Sequence, residues 1–231
     1  MLDDGSRKLW LLACILVLTL ACRPAAAARK WVVLTDCELL ADPSNDGDSF
    51  HVRHKRRHYV FRLYFVDTPE VDLAFPERVK EQAAYWGITE RQALALGAQA
   101  RQFTRERLGR PFTVYTKYED ARGRSDRGRF FAVVKVGDEY LSDALVKHGL
   151  ARVYGAATDL PDGTPAARYW ARLRTLERQA KAARLGGWGL ARPSGHALLG
   201  RSITNAPATW RLVPPAAGSG ARSQGNSTPV R

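Results

Sequence analysis

The chain has 231 residues, a length that suits one domain of ordinary size with a hydrophobic core of its own. Two of the three cysteines lie in or beside the apolar N-terminal run, and only Cys37 lies beyond it. A scaffold held together by disulfide bonds is therefore excluded. The net charge of +13 indicates a polyanionic partner, nucleic acid first and an anionic membrane or cell wall second, although a generally basic proteome would produce the same charge.

The first residues are typical of an export signal. Two basic residues precede an almost wholly apolar run from Leu9 to Ala21, and Ala26–Ala28 supplies the small residues of a cleavage site. The run is short for a membrane span, although an uncleaved anchor stays open, and the residues before Cys22 fit lipid attachment poorly without ruling it out. We therefore expect residues 1–28 to be a signal peptide, and the remaining chain, with a net charge of +12, to be periplasmic or extracellular.

Short strands are predicted after the leader. Trp31–Leu34 is one candidate, and Phe50–Val52 with His58–Val66 forms a predicted hairpin around the basic turn HKRR. Every other residue of the second arm is apolar, which places Arg62 on the opposite face from the apolar row. Arg62 is therefore not expected in the core beneath that row.

Two helices are predicted next. The first runs from Glu77 to Trp86 and ends at Gly87, and Thr89 with Gln92 makes a capping box for the second, which ends at Gly109. The extra helix within residues 71–97 is expected either to narrow a binding groove or simply to pack on the barrel.

Further strands are predicted at Pro111–Tyr118 and Phe130–Val136, followed by a short helix at Ser142–His148. A last helix is predicted to begin at Thr164-Pro165, with the threonine as its cap, and to run to about Leu185.

These elements predict one α+β domain over residues 29–190. Five short strands, with a long helical insertion after the third and further packed helices, suit a five-stranded OB-fold-like β-barrel, which commonly binds oligonucleotides or oligosaccharides. Residues 191–231 are rich in proline, glycine, serine and alanine and show no periodicity, which predicts a disordered tail.

Carboxylates stand at the ends of two predicted neighbouring strands. The stretch ADPSNDGDSF places Asp48 before one strand, and Asp67 follows the strand that contains Arg62. Antiparallel pairing brings the start of one strand beside the end of the other, so Asp48 and Asp67 can meet. Two carboxylates, a backbone carbonyl and waters make a reasonable Ca²⁺ site. An EF-hand is excluded because Arg53 stands where that loop needs a glutamate, whereas a plain Asn-Asp-Gly-Asp turn stays open.

The chain resembles the staphylococcal nuclease family in several motifs that occur in the family's order. The Arg…Asp-Thr-Pro-Glu spacing is the most specific of them, and the resemblance extends from about Trp31 to Trp188. The matching stretches are DGDS at 46–49, FRLYFVDTPE at 61–70, GRFFAVV at 128–134, ALVKHGLARV at 144–153 and AKAARLGGWG at 180–189.

This resemblance implies a Ca²⁺-dependent phosphodiesterase that cleaves DNA and RNA and leaves 3′-phosphates. Its site residues, carried over position by position, are Asp48, Asp67 and the carbonyl of Thr68 for Ca²⁺, Glu70 for the attacking water, and Arg62 and Arg129 for the phosphate.

Further residues are expected to hold the nucleic acid. Lys117 and Arg127, together with the other arginines near Gly128, predict diffuse phosphate binding, and Tyr118 or Tyr154 is expected to stack on a base. The loop before Gly128 is one residue shorter than in the family and lacks the tyrosine that commonly precedes this glycine. The resemblance therefore does not indicate which end of the nucleic acid the enzyme prefers.

Two other functions stay open. A non-catalytic nucleic-acid-binding module would keep the barrel and lose the site, but all six expected site residues are present here. A basic surface-adhesion protein would bind membrane or wall polymer through its tail. For the nuclease we expect a monomer with no stable membrane insertion after signal cleavage.

Overall fold

The computed structural model describes residues 29–122 and 128–191. The predicted signal peptide at 1–28, nearly all of the predicted tail and Arg127 lie outside the described residues. Within the described ranges, no helix is both long enough and apolar enough to cross a membrane.

Short strands alternate with helices along the chain. The helices are α1 (Pro76–Trp86), α2 (Glu90–Arg107), α3 (Leu141–Lys147), α4 (Ala166–Ala182) and α5 (Gly187–Leu190). The strands are β1 (Val32–Leu39), β2 (Ser49–His54), β3 (Arg57–Leu63), β4 (Val66–Asp67), β5 (Phe112–Asp120), β6 (Arg129–Val136), β7 (Glu139–Tyr140) and β8 (Arg152–Val153).

The main sheet closes into a barrel. Its strand order is β3-β2-β1-β5-β6-β7, and β3 also pairs in parallel with β6, so five strands form a closed mixed barrel. The predicted OB-fold-like α+β architecture is confirmed. Strands β4 and β8 form a separate two-stranded sheet, in which Asp67 pairs with Arg152.

Apolar side chains on alternate strand positions fill the barrel. Phe50, Phe61 and Val114 are completely buried, and Leu145 of α3 and Leu173 of α4 belong to the same buried cluster. Burying a side chain of this size contributes about 1.5–3 kcal/mol. Arg62 lies between buried neighbours on β3 and is itself only partly buried, as the alternation indicated.

The predicted strand His58–Val66 is interrupted at Tyr64 and Phe65, and Val66 belongs to the separate strand β4. Strand β3 ends at Leu63, because Phe65 adopts a left-handed backbone with φ of 72°, which is unfavourable for a bulky residue. The ring of Phe65 is buried 4.8 Å from that of Tyr169, and this packing offsets the strain. The bend takes Asp67 off the barrel strand and into the small sheet.

The predicted helices are present, with some ends shifted. The capping box of Thr89 and Gln92 is confirmed, but the predicted cap at Thr164 is wrong. Pro165 occupies the N-cap position of α4, and the backbone N–H of Ala166 donates instead to the carboxylate of Asp159 at 2.9 Å.

Gly97 allows α2 to contact the turn that follows Asp67. A Cβ atom at this position would lie 2.2 Å from the carbonyl oxygen of Glu70 and 2.6 Å from that of Pro69. Both obstacles are backbone atoms, which cannot move aside as a flexible side chain can. Only glycine therefore fits where the insertion packs against this turn.

We expect Gly97→Ala to lower the free energy of unfolding by about 1–3 kcal/mol because of overpacking. In an unobstructed helix the same change would raise it by up to about 1 kcal/mol. Urea unfolding measures the difference. Gly109→Ala, where the nearest atom would be 3.3 Å rather than 2.2 Å away, is the comparison and should lower the free energy of unfolding less than Gly97→Ala does. A Gly97→Ala protein as stable as the wild type would contradict the close approach.

Candidate active site

The register between β2 and β3 brings the predicted ligands together. Ser49 pairs with Arg62, and the backbone N–H of Leu63 donates to the carbonyl of Asp48 at 2.8 Å. Arg62 Nη2 lies 3.1 Å from Asp48 Oδ2 and 2.6 Å from Asp67 Oδ1. The two buried carboxylates therefore contact the same nitrogen atom.

The turn before β2 is held by its own side chain and by helix α2. Asp46 Oδ1 accepts hydrogen bonds from the backbone N–H groups of Asp48 at 3.0 Å and Ser49 at 2.6 Å. The hydroxyl of Thr104 on α2 donates to the carbonyl of Gly47 at 2.7 Å. The Asn-Asp-Gly-Asp segment is thus a turn, and it presents Asp48 to the interior.

Asp67 is surrounded by positive donors. Its Oδ1 accepts from Arg62 at 2.6 Å and from Arg78 Nη2 at 2.8 Å. Its Oδ2 accepts from Arg152 Nε at 2.9 Å and from Gln82 Nε2 at 3.0 Å. A carboxylate offers about four lone-pair directions, so all of those on Asp67 are in use. Burial disfavours the charged form, but the three guanidinium groups outweigh it and lower the pKa of Asp67.

At Asp48, burial outweighs the nearby positive charge, the opposite of what occurs at Asp67. Burial raises the pKa of Asp48 well above the ordinary value; Arg62 opposes that rise, and the nearby carboxylates of Asp46 and Asp67 add to it. The backbone N–H of Thr68 offers only a long hydrogen bond of 3.4 Å. Asp48 is therefore a buried carboxylate with too little positive charge around it, a condition that a divalent cation would relieve.

Glu70 lies beside this pair, with a side chain 19% exposed to solvent. Its Oε1 accepts from Arg78 Nε at 2.6 Å, so one guanidinium group connects Glu70 with Asp67. Its backbone N–H donates to Gln82 Oε1 at 2.9 Å, and the amide nitrogen of Gln82 also donates to the carbonyl of Thr68 at 3.0 Å. Helix α1 therefore fixes the turn through Gln82 and the carboxylates through Arg78.

Arg129 reaches the same side of the barrel from β6. Its Nη1 lies 3.3 Å from Ser49 Oγ, and its Nη2 donates to the carbonyl of Arg122. Its Nε is buried and has no hydrogen-bond partner in the part of the chain that the structure describes. Burial and the neighbouring Arg62 lower the pKa of Arg129. An anionic oxygen near this group would satisfy the unused donor.

The other predicted substrate-binding residues lie outside the carboxylate cluster. Lys117 donates to the hydroxyl of Thr158 at 2.6 Å and lies 4.7 Å from the ring centroid of Trp31. Tyr154 is 47% exposed, and its ring centroid lies 4.2 Å from the guanidinium carbon of Arg152. Nucleic-acid contacts by these two residues stay predictions.

Sequence reasoning did not identify Arg78, Gln82 and Arg152 as parts of this site. Arg78 and Gln82 are four residues apart on one face of α1, and that spacing was the available signal. Arg152 belongs to the ALVKHGLARV motif, but the motif alone does not reveal its contact with Asp67.

The donors present suit a hard cation. Asp48, Asp67 and the carbonyl of Thr68 all offer oxygen, which Ca²⁺ and Mg²⁺ prefer. No group of three or more His, Cys, Asp or Glu side chains that could hold a metal ion occurs within residues 29–122 and 128–191, so these two carboxylates would need the carbonyl and water to complete a coordination shell. Asp48, Asp67 and the carbonyl of Thr68 therefore fit a hard divalent cation such as Ca²⁺, provided that Asp67 loses one of its four hydrogen bonds.

A family model described as Staphylococcal nuclease homologue matches residues 60–189, more than half of the chain. The matched range includes Arg62, Asp67, Glu70 and Arg129, whereas Asp48 precedes it and reaches the site through the pairing of β2 with β3. The chain therefore belongs to the staphylococcal nuclease homologues, a family of phosphodiester-cleaving nucleases.

Proposed function

We propose that the protein is an exported, Ca²⁺-dependent nuclease that hydrolyses DNA and RNA and leaves 3′-phosphates. The observation that carries this proposal is the shared contact of Asp48 and Asp67 with one nitrogen of Arg62, beside Glu70. Family membership supports nucleic acid as the substrate. The export component is supported by the composition of residues 1–28.

Asp48 and Asp67 would hold Ca²⁺ through their carboxylates and Thr68 through its backbone carbonyl, with waters as further ligands. When bound, the ion supplies positive charge to the phosphate oxygens that gain negative charge during attack. The burial of Asp48 beside the carboxyl groups of Asp46 and Asp67, which raises the pKa of Asp48, supports this assignment because a bound cation would favour the charged form.

Arg62 and Arg129 would bind the non-bridging phosphate oxygens. A planar guanidinium group presents two parallel donors to these oxygens, which a lysine ammonium does not. Both groups approach Ser49 and Asp48 from adjacent strands, and the unused Nε of Arg129 supports such a role. Donors already in place stabilise the charge that develops on the phosphate without further rearrangement.

Glu70 would accept a proton from the attacking water. This side chain is 19% exposed, which lets water reach the carboxylate oxygens. The water oxygen bonds to phosphorus, the bond from phosphorus to the 5′-oxygen breaks, and that oxygen takes up a proton as it leaves. The phosphate then stays on the 3′-side, as proposed.

We expect the purified protein to degrade both DNA and RNA with Ca²⁺, and a chelator to stop it. Glu70→Gln should lower the cleavage rate about 10²- to 10⁴-fold, because the amide cannot accept the proton. Single-turnover digestion of a labelled oligonucleotide measures this rate. Glu77→Gln, on the exposed side of α1, removes the same charge and should cleave like the wild type.

Equal cleavage by wild type and Glu70→Gln would remove the proposed base. Tight nucleic-acid binding by the wild type without cleavage under any divalent cation would instead support the non-catalytic binding module.

A further inference from the structure

Helix α1 inserts a positive charge into the proposed cation site. Arg78 Nε donates to Glu70 at 2.6 Å, and Arg78 Nη2 donates to Asp67 at 2.8 Å. One guanidinium group therefore contacts both a proposed metal ligand and the proposed base. Burial opposes its charged form, but the two carboxylates outweigh burial and raise the pKa of Arg78.

A cation cannot bind Asp67 while all four hydrogen bonds to it persist. The carboxylate has about four lone-pair directions, and Arg62, Arg78, Arg152 and Gln82 use them. A new ligand bond therefore requires one of these donors to leave.

The surroundings of the four donors identify which one can leave. Gln82 is completely buried, and the side chain of Arg152 is 4% exposed and tied also to Glu81. The side chain of Arg62 is 19% exposed and also contacts Asp48. Arg78 is the most exposed of the four, at 37%, and a long flexible side chain connects it to α1. Its movement into solvent would disturb fewer buried groups than the movement of any of the other three donors.

We propose that Arg78 competes with the divalent cation for Asp67, so that this residue sets the affinity of the site for Ca²⁺. The guanidinium group and the ion repel each other and need the same carboxylate oxygens, so the two contacts exclude each other. In the absence of the ion, Arg78 compensates the charges of Asp67 and Glu70. This inference rests on the proposed function for its choice of Ca²⁺ at this site.

Calorimetric titration of the nucleic-acid-free protein with Ca²⁺ tests the competition. Arg78→Ala should bind Ca²⁺ about 10-fold more tightly than the wild type, because no partly exposed ion pair has to be broken first. Arg78→Lys has a single ammonium group and cannot hold both carboxylates as a fork does, so it should fall between the two. Arg107→Ala, which removes a similarly exposed ion pair with Glu139 outside the site, should bind like the wild type.

Thermal unfolding gives a second readout that does not depend on activity. Without Ca²⁺, Arg78→Ala should have a lower Tm than the wild type, because Asp67 and Glu70 lose a counter-charge. Saturating Ca²⁺ should raise the Tm of this variant more than that of the wild type, because a tighter ligand stabilises more at the same concentration. A reduced Tm without any gain in affinity would overturn the proposal and leave Arg78 a structural residue.

The outcome separates this inference from the proposed function. If the wild type cleaves DNA with Ca²⁺ but Arg78→Ala binds the ion no more tightly, the competition is wrong and the nuclease assignment stands. If Arg78→Ala binds more tightly but neither protein cleaves, the competition stands and the assignment is wrong. If neither folded protein binds Ca²⁺, both are wrong.

Discussion

Arg62→Ala is expected to lower the rate of DNA cleavage by about 10³- to 10⁵-fold, the range found for arginines that stabilise a phosphoryl transition state. Arg62 contacts both proposed metal ligands through one nitrogen. Its loss would remove a hydrogen-bond donor to the phosphate. It would also remove the positive charge that lies between the carboxyl groups of Asp48 and Asp67. The cleavage rate at saturating substrate and Ca²⁺ is the quantity to measure, together with a circular dichroism spectrum that verifies the fold.

Two further variants make the Arg62 prediction specific. Arg62→Lys retains the charge but not the planar fork, so its rate should lie between those of Arg62→Ala and the wild type. Arg53→Ala removes an exposed arginine of β2 that pairs with Glu38, and it should cleave within a few-fold of the wild type. A loss smaller than 10-fold for Arg62→Ala would show that this residue does not act on the phosphate.

Asp67→Asn is expected to destabilise the protein, whereas Asp48→Asn is not. Asp67→Asn removes the negative charge from three guanidinium groups and turns an N–H group towards donors, which should lower the free energy of unfolding by about 3–5 kcal/mol. Asp48→Asn removes a buried, poorly compensated charge and retains an oxygen that can accept from Arg62 and the N–H of Thr68. It should therefore unfold at a urea concentration equal to or higher than the wild type.

Asp48 and Asp67 also determine how the free energy of unfolding is expected to depend on pH. The pKa of Asp67 is lowered in the folded state, so its stabilisation is complete above the ordinary aspartate value and is lost as the pH falls through the lower folded value. The pKa of Asp48 is raised in the folded state, so ionised Asp48 destabilises the protein. This destabilisation is complete above the folded-state pKa and disappears as the pH falls from that pKa towards the ordinary aspartate pKa. Urea unfolding without divalent ions, from pH 8 to pH 3, measures both trends. A stability gain for Asp67→Asn at neutral pH would contradict this account of the charges.

An unfavourable charge such as Asp48 indicates function more strongly than a compensated one. A site optimised for stability alone would place an uncharged side chain there, since stability and activity often conflict at functional positions. Asp48 is instead a carboxyl group for which burial, together with the neighbouring Asp46 and Asp67, raises the pKa and disfavours the charged form. Asp48→Asn and Asp67→Asn should both abolish Ca²⁺-dependent cleavage, although only Asp67→Asn should destabilise the protein.

The sequence by itself determined the barrel class, most helix positions and the meeting of Asp48 with Asp67. These features depend on short-range patterns: alternating apolar residues, a capping box at Thr89, and antiparallel pairing that aligns the ends of adjacent strands. The capping box and the β2–β3 hairpin can be evaluated locally, whereas the pairing of β3 with β6 that closes the barrel is long-range.

Only the tertiary structure decided what surrounds Asp67. The left-handed backbone of Phe65 breaks the expected strand, and long-range packing then brings Arg78 and Gln82 of α1 and Arg152 of β8 to one carboxylate. Arg152 is 85 residues away along the chain, and no local periodicity records such a contact. The reason is physical: the register of paired strands follows from local side-chain alternation, whereas the way helices pack on a barrel depends on the shape of the whole core.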